Sequence, residues 1–198
     1  MKIFQYIISI LLVFNIPGVI LLNYGDEIGS LFSYLTLSLL LCFYAINKKH
    51  TPPWPFIIFA LLYYVISGLV GVDDEKYYYI DAIKYLIIII CGAELARRTS
   101  VKELLILFIL GSSSIFLNAF LFPMDYGRYS GFFLDPNAAG FACLIGVTLV
   151  FSLKNFKSKY LFLIFFTFCG ILTFSRTFIV LWIIAILIST FQSQKNIG

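Results

Sequence analysis

YGRYSGFFLDPNAAG, which spans Tyr126–Gly140, is the longest passage between Ile3 and Phe191 that does not look like a membrane-spanning segment. It carries one arginine, three glycines and an Asp-Pro-Asn run, and an apolar segment follows at once. A second, shorter polar passage, TFSRT at Thr173–Thr177, carries another arginine. Because apolar sequence surrounds both passages, the fold depends on where these interruptions fall.

The composition is typical of a polytopic membrane protein. The 198 residues are 61% hydrophobic and 12% charged, and that charged fraction is about half of what a soluble domain carries. Apolar runs long enough to cross a bilayer core of about 30 Å recur along the chain. We interpret the net charge of +4 by position, as a topology signal, and expect no nucleic-acid partner. The expected fold is an all-α transmembrane bundle, a single domain over residues 1–198.

The apolar runs predict about eight membrane spans. Pro17-Gly18 predicts a kink in the first span. The last two spans, which we expect to be separated by a break after Gly170, could instead form one helix over Tyr160–Phe191. Such a helix would be about 48 Å long, which exceeds the bilayer core. The predicted spans are Ile3–Leu22, Ile28–Ile46, Trp54–Val72, Ile80–Ala96, Val101–Phe122, Asn137–Leu153, Tyr160–Leu172 and Phe178–Phe191.

The distribution of cations predicts the orientation. Cytoplasmic segments are enriched in lysine and arginine, so both termini are expected in the cytoplasm, and the outer side then holds Lys76, Lys84, Arg128 and Arg176. The other ten of the fourteen cations fall inside. They are Lys2, Lys48, Lys49, Arg97, Arg98, Lys102, Lys154, Lys157, Lys159 and Lys195.

The cysteines and the histidine indicate no metal or cofactor. Cys42, Cys91, Cys143 and Cys169 each lie in an apolar run without a CxxC pair, which argues against a disulfide scaffold and a metal site. His50 is the one histidine, so no histidine cluster is available.

The first polar passage carries the start signals of a helix whose N-terminus faces outward. Asp135 is the expected N-cap, Pro136 suits the first helical position, and Asn137 follows. Arg128 precedes these residues, and Gly131 would let backbone or ligand approach closely.

The second polar passage repeats this arrangement, with Ser175 as the expected N-cap and Arg176 directly after it. Helix N-termini present free N–H groups and partial positive charge, and arginine adds a fork of donors that matches phosphate oxygens. We therefore predict that Arg128 and Arg176 hold a phosphate or pyrophosphate in one extracytoplasmic pocket.

Simpler interpretations remain open for both arginines. Arg128 could pair with Asp125 or Asp135, or extend to lipid headgroups. Arg176 could neutralise a neighbouring acid.

Simple structural interpretations also exist for Lys84, Asp81 and Glu94. Lys84 either pairs with Asp81, three residues earlier on the same helix, or joins the anion site. Glu94 is expected to be a solvated partner of the cations near the inner end of its span.

The sequence GRYSGFFLDPNAAG, followed by an apolar span and then LTFSRTFIVLWIIAIL, resembles the O-antigen ligase and repeat-unit polymerase family. The family pattern is an outer-face Arg-x-x-Gly-x-Phe-x-(Asp/Asn)-Pro-Asn, a span, a basic cytoplasmic turn, and Ser-Arg at the start of the second following span. The matching residues are Arg128, Gly131, Phe133, Asp135, Pro136, Asn137, Ser175 and Arg176.

The resemblance implies glycosyl transfer from a glycan on a polyprenyl pyrophosphate, without a metal, at the outer face of a bacterial cytoplasmic membrane. The arginines would hold the pyrophosphate leaving group. Family members carry a functional histidine in a long outer loop beyond the Ser-Arg span, whereas this sequence ends at Gly198. We therefore expect this chain to contain the donor-binding half of such an enzyme. A separately encoded C-terminal part is one possible partner. A flippase or transporter of lipid-linked oligosaccharide and a non-catalytic membrane subunit are the alternatives.

Overall fold

The structure, a computed structural model, describes residues 2–47, 50–70, 75–123, 128–153 and 158–195. These residues form helices and connecting turns, without a strand among them. The helices are α1 (Lys2–Val13), α2 (Ile16–Tyr24), α3 (Asp26–Ile46), α4 (Trp54–Val70), α5 (Glu75–Arg98), α6 (Val101–Leu121), α7 (Pro136–Ser152), α8 (Lys159–Leu172) and α9 (Arg176–Lys195), with a 3-10 turn at Gly131–Phe133.

Two of these helices, α3 and α6, are long and apolar enough to cross a membrane. The pair α1 and α2 makes a third candidate span if it is counted as one, although the two helices are bent by 55°. Further helices are apolar over shorter lengths. The chain is thus all-helical where the structure describes it and has two to three candidate membrane spans, whereas eight spans remain a prediction.

The expected break between the last two spans is present. α8 ends at Leu172 and α9 begins at Arg176, so the alternative of one continuous helix over Tyr160–Phe191 is wrong. The hydroxyl of Thr173 donates to the carbonyl of Gly170 at 2.7 Å, and Phe174 adopts a left-handed backbone with φ 48°. These turn contacts end α8 at Leu172, which is the predicted end of the seventh span.

The kink that the sequence predicts at Pro17-Gly18 lies earlier in the chain. α1 ends at Val13 and α2 begins at Ile16, with Asn15 between them at φ 47°. The ring of a proline clashes with the carbonyl four residues before it, which here belongs to Val13. The helix therefore stops at Val13, and asparagine tolerates the left-handed backbone that turns the chain.

The remaining predicted spans coincide with helices, and the differences are at their ends. α5 begins at Glu75 rather than Ile80, and α9 continues to Lys195. Val72, the predicted end of the third span, lies outside the described residues, as do four cations used to orient the chain. These cations are Lys48, Lys49, Lys154 and Lys157.

The described residues divide into two compact units. The first contains residues 1–12 and 20–100, and α3 packs against α5 within it. Its core cluster contains the buried residues Ile8, Leu40, Phe43, Cys91 and Leu95.

Glu94 in the first unit is buried, which corrects the expectation of a solvated carboxylate. Only 2% of its side chain is exposed. It accepts a hydrogen bond from Arg98 Nε at 2.6 Å, and His50 Nδ1 lies 2.9 Å from it. Because the partners come from the same helix and from the segment before α4, this cluster fastens that segment to the end of α5.

The second unit contains residues 13–19 and 101–198, and α7 lies at its centre against α6, α8 and α9. Small residues along α7 let the neighbouring helices approach closely. A Cβ at Gly146 would come within 2.3 Å of the Phe166 ring, and one at Gly140 within 2.8 Å of Ser175 Cβ. This packing places the start of α7 beside the start of α9.

Candidate functional site

A cavity of about 390 Å³ lies where α7 and α9 begin. Both arginines singled out by the sequence line it, and the other lining residues are Asn137, Phe174 and Thr177. The side chains of Arg128 and Arg176 are exposed. The two polar passages, which are far apart in sequence, therefore meet at one place in the second unit.

The start of α7 has the local structure that its sequence predicts. Asp135 is the N-cap with an extended backbone, and its Oδ2 accepts a hydrogen bond from the backbone N–H of Ala138 at 3.0 Å. Pro136 occupies the first helical position, where its missing N–H costs nothing. The N–H of Asn137 belongs to the first turn, where no preceding intrahelical carbonyl is available.

The start of α9 is formed by the turn that follows α8. Ser175 is fully buried, and its Oγ accepts a hydrogen bond from the backbone N–H of Phe178 at 3.3 Å. The backbone N–H groups of Arg176 and Thr177 lie in the first turn and have no intrahelical acceptor. These donors and the Arg176 side chain are carried by residues that line the cavity.

A hydrogen bond joins the two helix starts directly. The hydroxyl of Ser175 donates to Asn137 Oδ1 at 3.3 Å. Gly140, one turn into α7, makes room for this approach because a Cβ there would come within 3.0 Å of Phe178 Cβ as well as contacting Ser175. The two N-termini, each with partial positive charge, are thus held side by side.

The segment that follows Arg128 contacts the end of α8 and the middle of α6. The backbone N–H of Tyr129 donates to the carbonyl of Leu172 at 3.2 Å. Gly131 has φ +56°, and a Cβ there would lie 2.3 Å from Ser114 Oγ. Ser114 Oγ in turn accepts a hydrogen bond from the backbone N–H of Phe132 at 3.0 Å. These contacts fix the backbone from which Arg128 extends.

The charged side chains that line the cavity among the described residues are the two guanidinium groups. Within the described ranges, neither guanidinium group forms an ion pair or a hydrogen bond, and the Asp135 carboxylate serves as the cap of α7. Asp125, the other acid considered for Arg128, lies outside the described residues. The arrangement therefore offers two guanidinium groups and the N–H groups of two helix starts to an anion.

Lys84, the third predicted anion-binding residue, belongs to the first unit. Its ammonium group lies 3.3 Å from Asp81 Oδ1 and 5.2 Å from the centroid of the Tyr34 ring. These contacts match the ion-pair alternative for Lys84, and its part in an anion site stays a prediction.

Sequence reasoning missed several residues of the site. Phe174 and Thr177 line the cavity, and Ser114 supports the loop from α6. The TFSRT passage contains the first two, but nothing in the sequence distinguishes them from ordinary turn residues. Ser114 belongs to a run of three serines, and such small residues are typical of helix packing in membrane proteins.

In the part of the chain that the structure describes, no group of three or more histidine, cysteine, aspartate or glutamate side chains is arranged to hold a metal ion. Comparison with protein-family models, with curated proteins and with solved structures finds no match to this chain.

Proposed function

We propose that this chain binds the diphosphate of a polyprenyl-linked glycan at the outer face of a bacterial cytoplasmic membrane. It would do so as the donor-binding part of a surface-polysaccharide ligase or polymerase. The observation that carries the proposal is the single cavity lined by Arg128 and Arg176. Its volume of about 390 Å³ lies within the range of about 300–1,000 Å³ found for ligand sites.

The charge of the cavity supports a diphosphate rather than a neutral ligand. A guanidinium group donates a rigid pair of N–H groups that matches two phosphate oxygens. Two such groups, together with the N–H groups at the starts of α7 and α9, provide donors for both phosphates of a diphosphate.

The lengths of α7 and α8 favour a site below the outer membrane surface. They contain 17 and 14 residues, or about 25 and 21 Å at 1.5 Å per residue, which is less than a bilayer core of about 30 Å. An uncompensated arginine within the membrane costs about 2.5–3.5 kcal/mol. A bound dianion would offset that cost, which gives the two cations a reason to lie there.

The expected chemistry is glycosyl transfer with the diphosphate as leaving group. As the bond between the anomeric carbon and the diphosphate oxygen breaks, negative charge grows on that oxygen. Guanidinium groups already placed around it stabilise the charge without reorganisation. The same proposal includes eight spans with both termini in the cytoplasm, since this orientation puts Arg128 and Arg176 outside.

Binding of inorganic pyrophosphate to the full chain in lipid nanodiscs tests the proposal. Calorimetric titration should give one pyrophosphate per chain. Because a charge-assisted hydrogen bond contributes about 1.5–3 kcal/mol, Arg128→Gln and Arg176→Gln should each raise the dissociation constant about 10- to 150-fold. Circular dichroism should show that both variants keep their helix content.

Lys159→Gln is the matched control, because it also removes one cation from the same unit. Lys159 begins the 14-residue helix α8, whereas the cavity lies beyond the other end of that helix. The dissociation constant of pyrophosphate for Lys159→Gln should equal that for the unchanged chain. Two independent pyrophosphate sites, or arginine variants that bind as tightly as the control, would refute the proposal.

A further inference from the structure

A second cavity of the second unit, about 400 Å³ in volume, is a groove between α7, α8 and α9. Its walls are almost entirely apolar and include Phe151 on α7, Ile164 and Ile171 on α8, and Ile186 on α9. The one polar lining side chain on α8, Thr167, accepts a hydrogen bond from Trp182 Nε1 at 2.9 Å. Because the indole N–H is already paired there, hydrocarbon suits the groove better than a polar ligand.

The groove and the arginine cavity are lined by residues that are close together in the chain at the end of α8. Ile171 lines the groove, and Phe174, three residues later, lines the cavity. From Ile171 the groove follows α8 back to Leu163, a length of about 12 Å at 1.5 Å per residue. A cationic cavity and an apolar groove that are both lined by residues at the end of α8 and just after it match a molecule with an anionic head and a hydrocarbon chain.

We infer that this groove holds the first part of the prenyl chain of the lipid whose diphosphate lies in the arginine cavity, an inference that rests on the proposed function. The chain leaves the cavity beside the turn at Thr173–Ser175 and follows α8 toward Phe151. A prenyl chain is favoured over the acyl chain of a bulk phospholipid because the arginine cavity offers two guanidinium groups that have no acidic partner among the described residues. They suit a diphosphate better than a single phosphate diester.

The test compares farnesyl diphosphate with inorganic pyrophosphate on the full chain in phosphatidylcholine nanodiscs. Ile164→Trp fills part of the groove with a larger ring. Displacing even two methylene groups from an apolar site weakens binding about tenfold. Ile164→Trp should therefore raise the dissociation constant of farnesyl diphosphate about tenfold and leave that of pyrophosphate unchanged.

Leu161→Trp is the matched control. Leu161 lies on the same helix with 65% of its side chain exposed, against 67% for Ile164, but it does not line the groove. It should change neither dissociation constant. If both tryptophan variants bind farnesyl diphosphate alike, the groove does not hold the chain.

The proposed function and the groove can be refuted separately. Pyrophosphate binding that does not depend on the arginines contradicts the proposed function. Arginine-dependent pyrophosphate binding with no effect of Ile164→Trp on farnesyl diphosphate overturns the groove alone.

Photolabelling of the unchanged chain keeps the inference testable if Ile164→Trp also loses pyrophosphate binding. A farnesyl diphosphate with a diazirine in its chain should label peptides of α7, α8 and α9 that line the groove. Labelling confined to other helices would overturn the inference. The inference would also be overturned if a diazirine phosphatidylcholine labelled the groove and excess farnesyl diphosphate did not displace it.

Discussion

The site depends on a single glycine whose backbone no other residue adopts without cost. Gly131 has φ +56°, and a Cβ there would lie 2.7 Å from the backbone nitrogen of Ile115. Left-handed backbone costs an L-residue about 1–2 kcal/mol, and the contact with α6 adds to this. We expect Gly131→Ala to lower the unfolding temperature of the detergent-solubilised chain and to weaken pyrophosphate binding, since Arg128 lies on the displaced segment.

Gly92→Ala is the control for this glycine. Gly92 lies inside α5, and a Cβ there would meet nothing within 4 Å. Alanine in a helix interior is more stable than glycine by about 0.5–1 kcal/mol, so this variant should unfold at an equal or higher temperature and bind pyrophosphate normally. Equal losses in both glycine variants would mean that the left-handed turn at Gly131 does not position Arg128.

Residues whose structure is set by neighbours in the sequence could be predicted, whereas residues whose structure is set by tertiary contacts could not. Asp135 could be identified as an N-cap because an acid before proline is a signal carried by adjacent residues. The burial of Glu94 could not, because it involves tertiary contacts such as the one with His50, which is 44 positions earlier in sequence. Phe174 has a left-handed backbone with no local residue type that favours it.

At the scale of the element, the break between α8 and α9 is what creates the second helix start. Ser175 caps α9 and also donates to Asn137 Oδ1. Loss of an N-cap serine costs about 0.5–2 kcal/mol. Ser175→Ala should therefore lower the unfolding temperature and weaken pyrophosphate binding, as measured by thermal unfolding and titration of the same preparation.

Ser113→Ala serves as the comparison for that variant. The hydroxyl of Ser113 donates only to the carbonyl of Ile109 on its own helix, α6, and alanine is a better helix former than serine. This variant should be as stable as the unchanged chain and bind equally well. A stable, fully binding Ser175→Ala would show that the cap does not organise the site.

Helix positions were largely predictable because apolar runs between polar passages set them. The break in the first span was anticipated from Pro17 but placed too late, since a proline disrupts the turn that precedes it. The ends of α5 and α9 extend past the apolar residues, because hydrogen bonding continues a helix into polar sequence where hydropathy gives no signal.

At the scale of the whole molecule, the account requires that both arginines lie on the outer side of the membrane and share one ligand. The distribution of lysine and arginine predicts the orientation of the chain, whereas the shared cavity follows from the packing of α7 against α9. The grouping of residues into one pocket was foreseeable only as a hypothesis, because charge pattern gives the side of the membrane and not the neighbour of each helix.

The most direct measurement is labelling of Arg128→Cys and Arg176→Cys with a membrane-impermeant maleimide in intact cells. Both variants carry Cys42→Ser, because Cys42 is the exposed native cysteine among the four. The account predicts that both positions react from outside and that Lys48→Cys reacts only after permeabilisation. Pyrophosphate should slow both outside reactions once its concentration saturates the weakened site of each variant. Reaction at position 48 in intact cells with protection at 128 or 176, or pyrophosphate protection at one arginine position alone, would contradict it.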